Sequence, residues 1–294
     1  MALAHTNGIQ IEYETFGNPE SPALLLIVGL GCQLIHWQKE FCEQIADQGY
    51  HVIRYDNRDS GLSTKIGNSD VNEAMAKIGA LFMKQKVEVP YGIKEMANDA
   101  AGLLDFLKIE KAHICGMSMG GFIAQTIAID YPNRLLSLIS IYSSPGNRRE
   151  FIPTPAVIEF MMTPQPSERE AYIDHSIKYL KLVSGSGIPH DEAYCRRLAG
   201  EAYDRSFYPA GLLRQYMAIL TQEDRGDALK TVCVPALVIH GDDDPMMPLS
   251  AGKATADALP DASLKIINGM GHAMPDLNAY WNVILDVIVG HIKK

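Results

Sequence analysis

Residues 112–125 read AHICGMSMGGFIAQ, a lone serine set between glycines, after a short apolar run and ahead of a helical pattern. Two readings compete for Ser118. It is either an N-capping serine in a glycine-rich turn, or a nucleophile in the pattern G-x-S-x-G over Gly116–Gly120. Five residues with three fixed positions decide little, so the surroundings must. AHIC supplies a strand, and GFIAQTIAIDYP supplies a helix that Tyr131-Pro132 closes, because the residue before proline is driven out of the helical region. A serine on so sharp a strand-to-helix turn projects its hydroxyl above the sheet edge. The glycines then serve close backbone approach, and the helix start below aims its dipole and free N–H groups at any anion formed there.

Short β-branched or leucine-rich runs recur outward from this stretch, with helical segments between them. They are IQIEYETFG from Ile9, ALLLIVG from Ala23, HVIRYD from His51, LLSLISIYSS from Leu135, ALVIHG from Ala236 and LKIING from Leu264. Strands alternating with helices predict parallel pairing, and unbroken apolar runs predict strands covered on both faces. The expected fold is α/β, a mostly parallel central sheet flanked by helices and opened by an antiparallel hairpin. Past Pro145 the alternation lapses into helix and loop, with Pro153, Pro155, Pro164 and Pro166 near the start. This divides the chain into a core over 1–145, a helical cap over 146–228 and the rest of the core over 229–294, with SGSGIPHD from Ser184 a hinge or loop inside the cap.

A serine hydroxyl is a weak nucleophile at neutral pH and needs a neutral histidine as base, itself oriented by a carboxylate. On a strand-to-helix elbow the order is serine, acid, histidine, each partner following a later strand. DDDPMMP follows ALVIHG and MGHAMP follows LKIING, at the strand ends where open α/β sheets place ligand-facing groups. Of nine histidines, His272 alone stands so late behind a strand. His240 ends its own strand and reads as packing. His36 lies in a loop near the site and could line it, while His5, His51, His113, His175, His190 and His291 default to surface or core. One of Asp242, Asp243 and Asp244 would meet the histidine, and the other two read as a solvated acidic turn. The cluster lacks histidine or cysteine at ligand spacing, so no metal and no cofactor is expected. The oxyanion of a tetrahedral intermediate needs preorganised N–H donors. Met119, next after the serine, offers one, and Leu30, in the glycine-flanked loop after ALLLIVG, the other.

Composition narrows the partners. The formal charge is −9 and no Lys/Arg block occurs, which argues against nucleic acid and anionic membrane surfaces. The first residues lack a basic and apolar leader pattern, and no apolar run is long enough to cross a bilayer. Five widely spaced cysteines without a CxxC pair read as reduced thiols, so the expectation is a cytoplasmic protein whose partner is a small molecule.

Taken as a set, ALLLIVGLG, HVIRYDNRDSGLST, AHICGMSMGG, VPALVIHGDDDPMMP and INGMGHAMP resemble the α/β-hydrolase superfamily, within it the cap-bearing serine esterases around aclacinomycin methylesterase. The resemblance implies Asp244 as the acid, third after the glycine of a G-x-x-D-x-x-x-P loop closed by Pro248, with His272 as base and Leu30 as oxyanion donor. There are two departures. Val28-Gly29 stands where many relatives carry His-Gly, and Asn57-Arg58-Asp59-Ser60-Gly61 stands where they carry Asp-x-Arg-Gly-x-Gly. The expected activity is hydrolysis of a small apolar carboxylic ester through an acyl-enzyme, falling as acid protonates His272. The same triad also serves C–C hydrolases, lactonases, thioesterases and perhydrolases, and a non-catalytic ligand binder keeps the same pocket. An aspartate nucleophile is excluded by Ser118. Met161, Met162, Met217, Met246, Met247, Met270 and Met274, in the cap or the catalytic loops, suit an adaptable apolar pocket or simply pack the core.

Overall fold

The chain opens with the hairpin that Asn7-Gly8 forces. Both residues take left-handed φ (48° and 76°), as a two-residue turn between antiparallel strands requires. In the computed structural model, which describes residues 2–67, 70–147, 151–187, 191–273 and 280–293, β1 (Ala2–Thr6) and β2 (Ile9–Phe16) form that hairpin. β3 (Ala23–Ile27), β4 (His51–Tyr55), β5 (Ala112–Met117), β6 (Leu135–Ile141), β7 (Ala236–Gly241) and β8 (Ala262–Ile267) follow, each overlapping a segment read as a strand, with β5 running on to Met117 and β8 starting two residues early. They form one eight-stranded sheet among the described residues, in the order β1-β2-β4-β3-β5-β6-β7-β8. β2 pairs antiparallel with β1 and β4, and every other neighbour is parallel.

Side chains of the central strands alternate between two cores, which is why their sequences read as unbroken apolar runs. In β3, Leu25 and Ile27 join the core under α3 (Ile93–Phe106) and α4 (Met119–Asp130), reached after α1 (Lys39–Ala46) and α2 (Val71–Phe82). Leu24, Leu26 and the following Val28 face the other core, with Phe41, Cys42 and Ile45 of α1. Between β6 and β7 lie α5 (Pro155–Met161), α6 (Arg169–Val183), α7 (Glu192–Arg205), α8 (Pro209–Thr221) and α9 (Gly226–Leu229). Their own apolar cluster, including Ile173, Ile177, Leu180 and Val183, takes in Ala273 and touches Met246. α10 (Leu249–Ala258) and α11 (Tyr280–Ile292) complete the chain, α11 laying Trp281, Ile284 and Ile288 into the second core.

The five cysteines are free thiols, four of them buried or half-buried and Cys233 exposed. Burial pushes the Cys32 and Cys42 thiols up to about 12. No helix among the described residues is long and apolar enough to cross a membrane. His190, Met274 and Pro275, parts of stretches singled out in the sequence, lie outside the described residues.

Candidate active site

Ser118 sits between the end of β5 and the first residue of α4, with φ 52° and ψ −120°. A non-glycine residue held there is strained, and its surroundings over-determine it. Its N–H donates to Ile141 O of the neighbouring strand (2.9 Å), and its carbonyl accepts Ser143 Oγ (2.9 Å). The close approaches explain the glycines. A Cβ on Gly116 would strike the Gly120 carbonyl, and one on Gly120 would strike the Ile27 carbonyl and lie 2.8 Å from Val28 O.

The structure brings together three of the residues read from the sequence. His272 Nε2 lies 2.8 Å from Ser118 Oγ, and His272 Nδ1 lies 2.7 Å from Asp244 Oδ2. The Asp244 side chain is fully buried, and its Oδ1 accepts the N–H groups of Met246 (2.9 Å) and Met247 (2.7 Å). One carboxylate oxygen is thereby committed to the loop and the other to the imidazole. The Tyr142 ring, its centroid 4.6 Å from that of His272, backs the imidazole, and burial raises its phenol well above the ordinary range.

Asp242 and Asp243 are exposed, as read for two of the three, but each also ties a loop: Asp242 Oδ1 accepts Gly269 N–H (2.6 Å) and Asp243 Oδ2 accepts Ser186 N–H (2.7 Å). His240 packs at the end of its strand. It is fully buried, 2.8 Å from the Met247 carbonyl, and burial holds its pKa below the usual histidine value. His36 is tied to the backbone of Gln33 (3.0 Å). Of the methionines in the described residues, Met217 and Met270 are core, Met246 and Met161 border the helical cluster, Met247 borders the first core, and Met162 is exposed.

Gly29 lies against the serine, since a Cβ on it would come within 3.3 Å of Ser118 Cβ. Leu30 follows, half-buried, and Met119 is buried at the start of α4. Among the described residues neither N–H has a backbone acceptor. No group of three His, Cys, Asp or Glu suited to a metal occurs among the described residues.

Local pattern could not reveal the ties between the helices and the loops that carry His272 and Leu30. The loop after α6, read as a hinge or loop, docks on the histidine loop: His272 N–H donates to Val183 O (2.6 Å), Gly271 N–H to Ser184 O (2.9 Å) and Gly187 N–H to Gly269 O (3.0 Å). On the other side, Asp59 holds a left-handed φ of 66° where the resembling family carries glycine. Its buried carboxylate accepts Arg214 of α8 (2.8 and 3.0 Å), the Tyr91 hydroxyl (2.7 Å) and Ile66 N–H (2.6 Å). Val28, the other departure, is buried in the second core, its carbonyl accepting Asn57 Nδ2 at 3.1 Å.

The model of the alpha/beta hydrolase fold family matches residues 22–279. Rhodomycin D methylesterase DnrP of Streptomyces peucetius is 31% identical over 287 residues, covering 89% of this chain and 88% of its own. A 2-hydroxy-6-oxononadienedioate/2-hydroxy-6-oxononatrienedioate hydrolase of Paraburkholderia phymatum is 26% identical over 275 residues, covering 90% of this chain and 85% of its own. Among solved structures, the esterase EaEST from Exiguobacterium antarcticum matches with a TM-score of 0.78 at 18% identity, over 99% of both chains, a likeness of fold. The eight-stranded sheet, its serine elbow and the family match agree, and the chain belongs to the α/β-hydrolase family.

Proposed function

We propose that the chain is a carboxylic ester hydrolase in which Ser118 is the nucleophile, His272 the general base and acid, and Asp244 the residue that orients it. The observation that carries this is the unbroken relay from Ser118 Oγ to His272 (2.8 Å) and on to Asp244 (2.7 Å), set on a strained elbow. With Asp244 Oδ2 accepting the Nδ1 proton, the Nε2 lone pair faces the serine hydroxyl. His272 takes the Ser118 proton as Oγ bonds to the ester carbon and the carbonyl electron pair moves onto oxygen. The Leu30 and Met119 N–H groups donate to that oxyanion, each donor contributing a factor on the order of 10² to 10³ in such sites. Collapse breaks the bond to the alcohol, which leaves with the proton from His272. Water, deprotonated by the same imidazole, then cleaves the acyl-enzyme and restores Ser118.

The helical segment 146–228 is proposed as a cap, supported by its contacts with the histidine and Gly29–Gly31 loops. Its apolar cluster, which reaches Ala273 beside the base and Met246 beside the acid, favours an apolar ester. Likeness to a protein named a methylesterase makes methyl esters the first substrates to test. C–C bond hydrolysis is the second reading, favoured by the relative of that class. Steady-state hydrolysis of a panel of methyl and nitrophenyl esters, beside a vinylogous keto acid that releases its acyl group by C–C cleavage, separates the two. Ester turnover abolished by Ser118→Ala supports the proposal. Turnover of the keto acid alone, or of neither, overturns it.

A further inference from the structure

We propose that Gln215, on α8, is a positioning residue for the oxyanion loop, holding the Leu30–Gly31 peptide that adjoins the Gly29–Leu30 peptide from which Leu30 donates. The inference rests on the ester-hydrolase reading. The loop Gly29-Leu30-Gly31 is intrinsically loose, because glycine on both sides of Leu30 leaves its peptide planes cheap to rotate. A donor that rotates freely stabilises little, since the catalytic benefit of an oxyanion hole is that its dipoles are aimed before charge develops.

Gln215 supplies the missing constraint. Its Oε1 accepts the Gly31 N–H at 2.9 Å, and its Nε2 donates to the Arg58 carbonyl at 2.8 Å. One partner is a donor and the other an acceptor, so the amide has a single satisfied orientation. The side chain is fully buried, leaving no water to replace it. Gln215 fixes the Leu30–Gly31 peptide, while Cys32 N–H closes a turn onto Gly29 O (3.3 Å), the carbonyl of the donor peptide, and the two bonds bracket Leu30.

The helix carrying Gln215 is itself held in place. Arg214 clasps the buried Asp59, and Leu212 packs so closely over Gly31 that a Cβ there would lie 2.6 Å from Leu212 Cδ1. Gly31 accordingly takes φ 68°, a conformation glycine adopts without strain. Asn57 and Ser60, flanking Arg58, reach the same loop through Val28 O (3.1 Å) and Cys32 O (2.6 Å). Gln215 is thus the element by which α8, more than 180 residues away in sequence, holds the peptide next to the oxyanion donor.

The test compares Gln215→Met, which keeps the volume and removes both polar contacts, with Gln215→Glu. A buried glutamate stays protonated and can still accept from Gly31 and donate to Arg58. On a short-chain nitrophenyl ester, Q215M is expected to lose about 10- to 100-fold in kcat with KM within about threefold, as a misaimed donor costs the transition state and spares ground-state binding. Inhibition by an alkyl trifluoromethyl ketone, whose hemiketal oxyanion needs the same donors, weakens by a similar factor, and Q215E recovers most of kcat. Q215M with wild-type kcat, or with a kcat loss that leaves ketone affinity unchanged, overturns the inference. If Q215M does not fold, Gln215→Asn, which withdraws the amide by one methylene, takes its place, and Q215N matching Q215E overturns the inference. A wild type that hydrolyses no ester instead overturns the functional reading and this inference with it.

Discussion

Replacing Asp244 with asparagine separates orientation from charge, and the surrounding hydrogen bonds fix how the amide must sit. Oδ1 of the native carboxylate accepts two backbone N–H groups, at 2.9 and 2.7 Å, while Oδ2 faces His272 Nδ1 at 2.7 Å. An amide can keep its carbonyl on the two N–H groups only by turning its NH2 toward the imidazole. The reverse orientation leaves two buried donors facing a third, at roughly 1–3 kcal/mol for each unsatisfied group. With NH2 against Nδ1, the imidazole carries its proton on Nε2 and cannot take one from Ser118. A wrong tautomer of this kind costs about 10⁴ in kcat, or about 5 kcal/mol of transition-state stabilisation. Asp242 and Asp243 cannot substitute, because they are exposed and bonded to Gly269 and Ser186. Steady-state ester hydrolysis by D244N, with urea denaturation to establish that it folds, measures the effect. A kcat within about tenfold of wild type refutes the assigned role, since it is far short of the tautomer loss.

Three further outcomes follow from the packing. Gly120→Ala drives a Cβ into the Ile27 and Val28 carbonyls, so α4 and the end of β3 must part. Urea denaturation should show a loss of about 1–3 kcal/mol and kinetics a roughly 10²-fold lower kcat, and a variant as stable and active as wild type contradicts the elbow's steric account. Arg58→Met strands the buried Asp99, which Arg58 holds at 2.6 and 2.7 Å, leaving it Asn7 at 2.9 Å. A loss of about 3 kcal/mol in chemical denaturation is expected, and an unchanged midpoint contradicts it. Burial, and secondarily the nearby His291, lowers the His113 pKa to about 4. The unfolded chain therefore binds this proton between about pH 6.5 and 4 while the folded chain does not, so stability is lost as pH falls through that window. Half-buried His36 and buried His51 and His240, also lowered by desolvation, add to the trend. His113→Gln should show a smaller drop in urea midpoint than wild type on moving from neutral to acid pH, and equal drops contradict the assignment.

The strands and the elbow were legible because their signals are local. β3 alternates between two apolar cores, so its run has no polar break, and the helix after Ser118 is bounded by a proline that no tertiary contact need explain. Only resemblance distinguishes Asp244 from its two neighbours in the sequence, since burial is what sets it apart and burial is not written in a run of identical residues. Asp59 reads in the sequence only as part of a departure from a glycine pattern, and its four-way hydrogen bonding depends on Arg214 and Tyr91, distant in sequence. Gln215 and the Ser184–Gly187 loop carry no motif at all. Their roles arise from side-chain-to-backbone and backbone-to-backbone bonds between segments that only the folded sheet brings together.

Intact-protein mass spectrometry on samples quenched within the first turnovers of a nitrophenyl ester, followed by peptide mapping, tests the covalent mechanism most directly. One acyl adduct per chain is expected, on Ser118, formed with a burst of nitrophenol and absent from Ser118→Ala. Multiple turnovers with no adduct in slow-deacylating esters, an adduct on another residue, or hydrolysis undiminished in Ser118→Ala would contradict it.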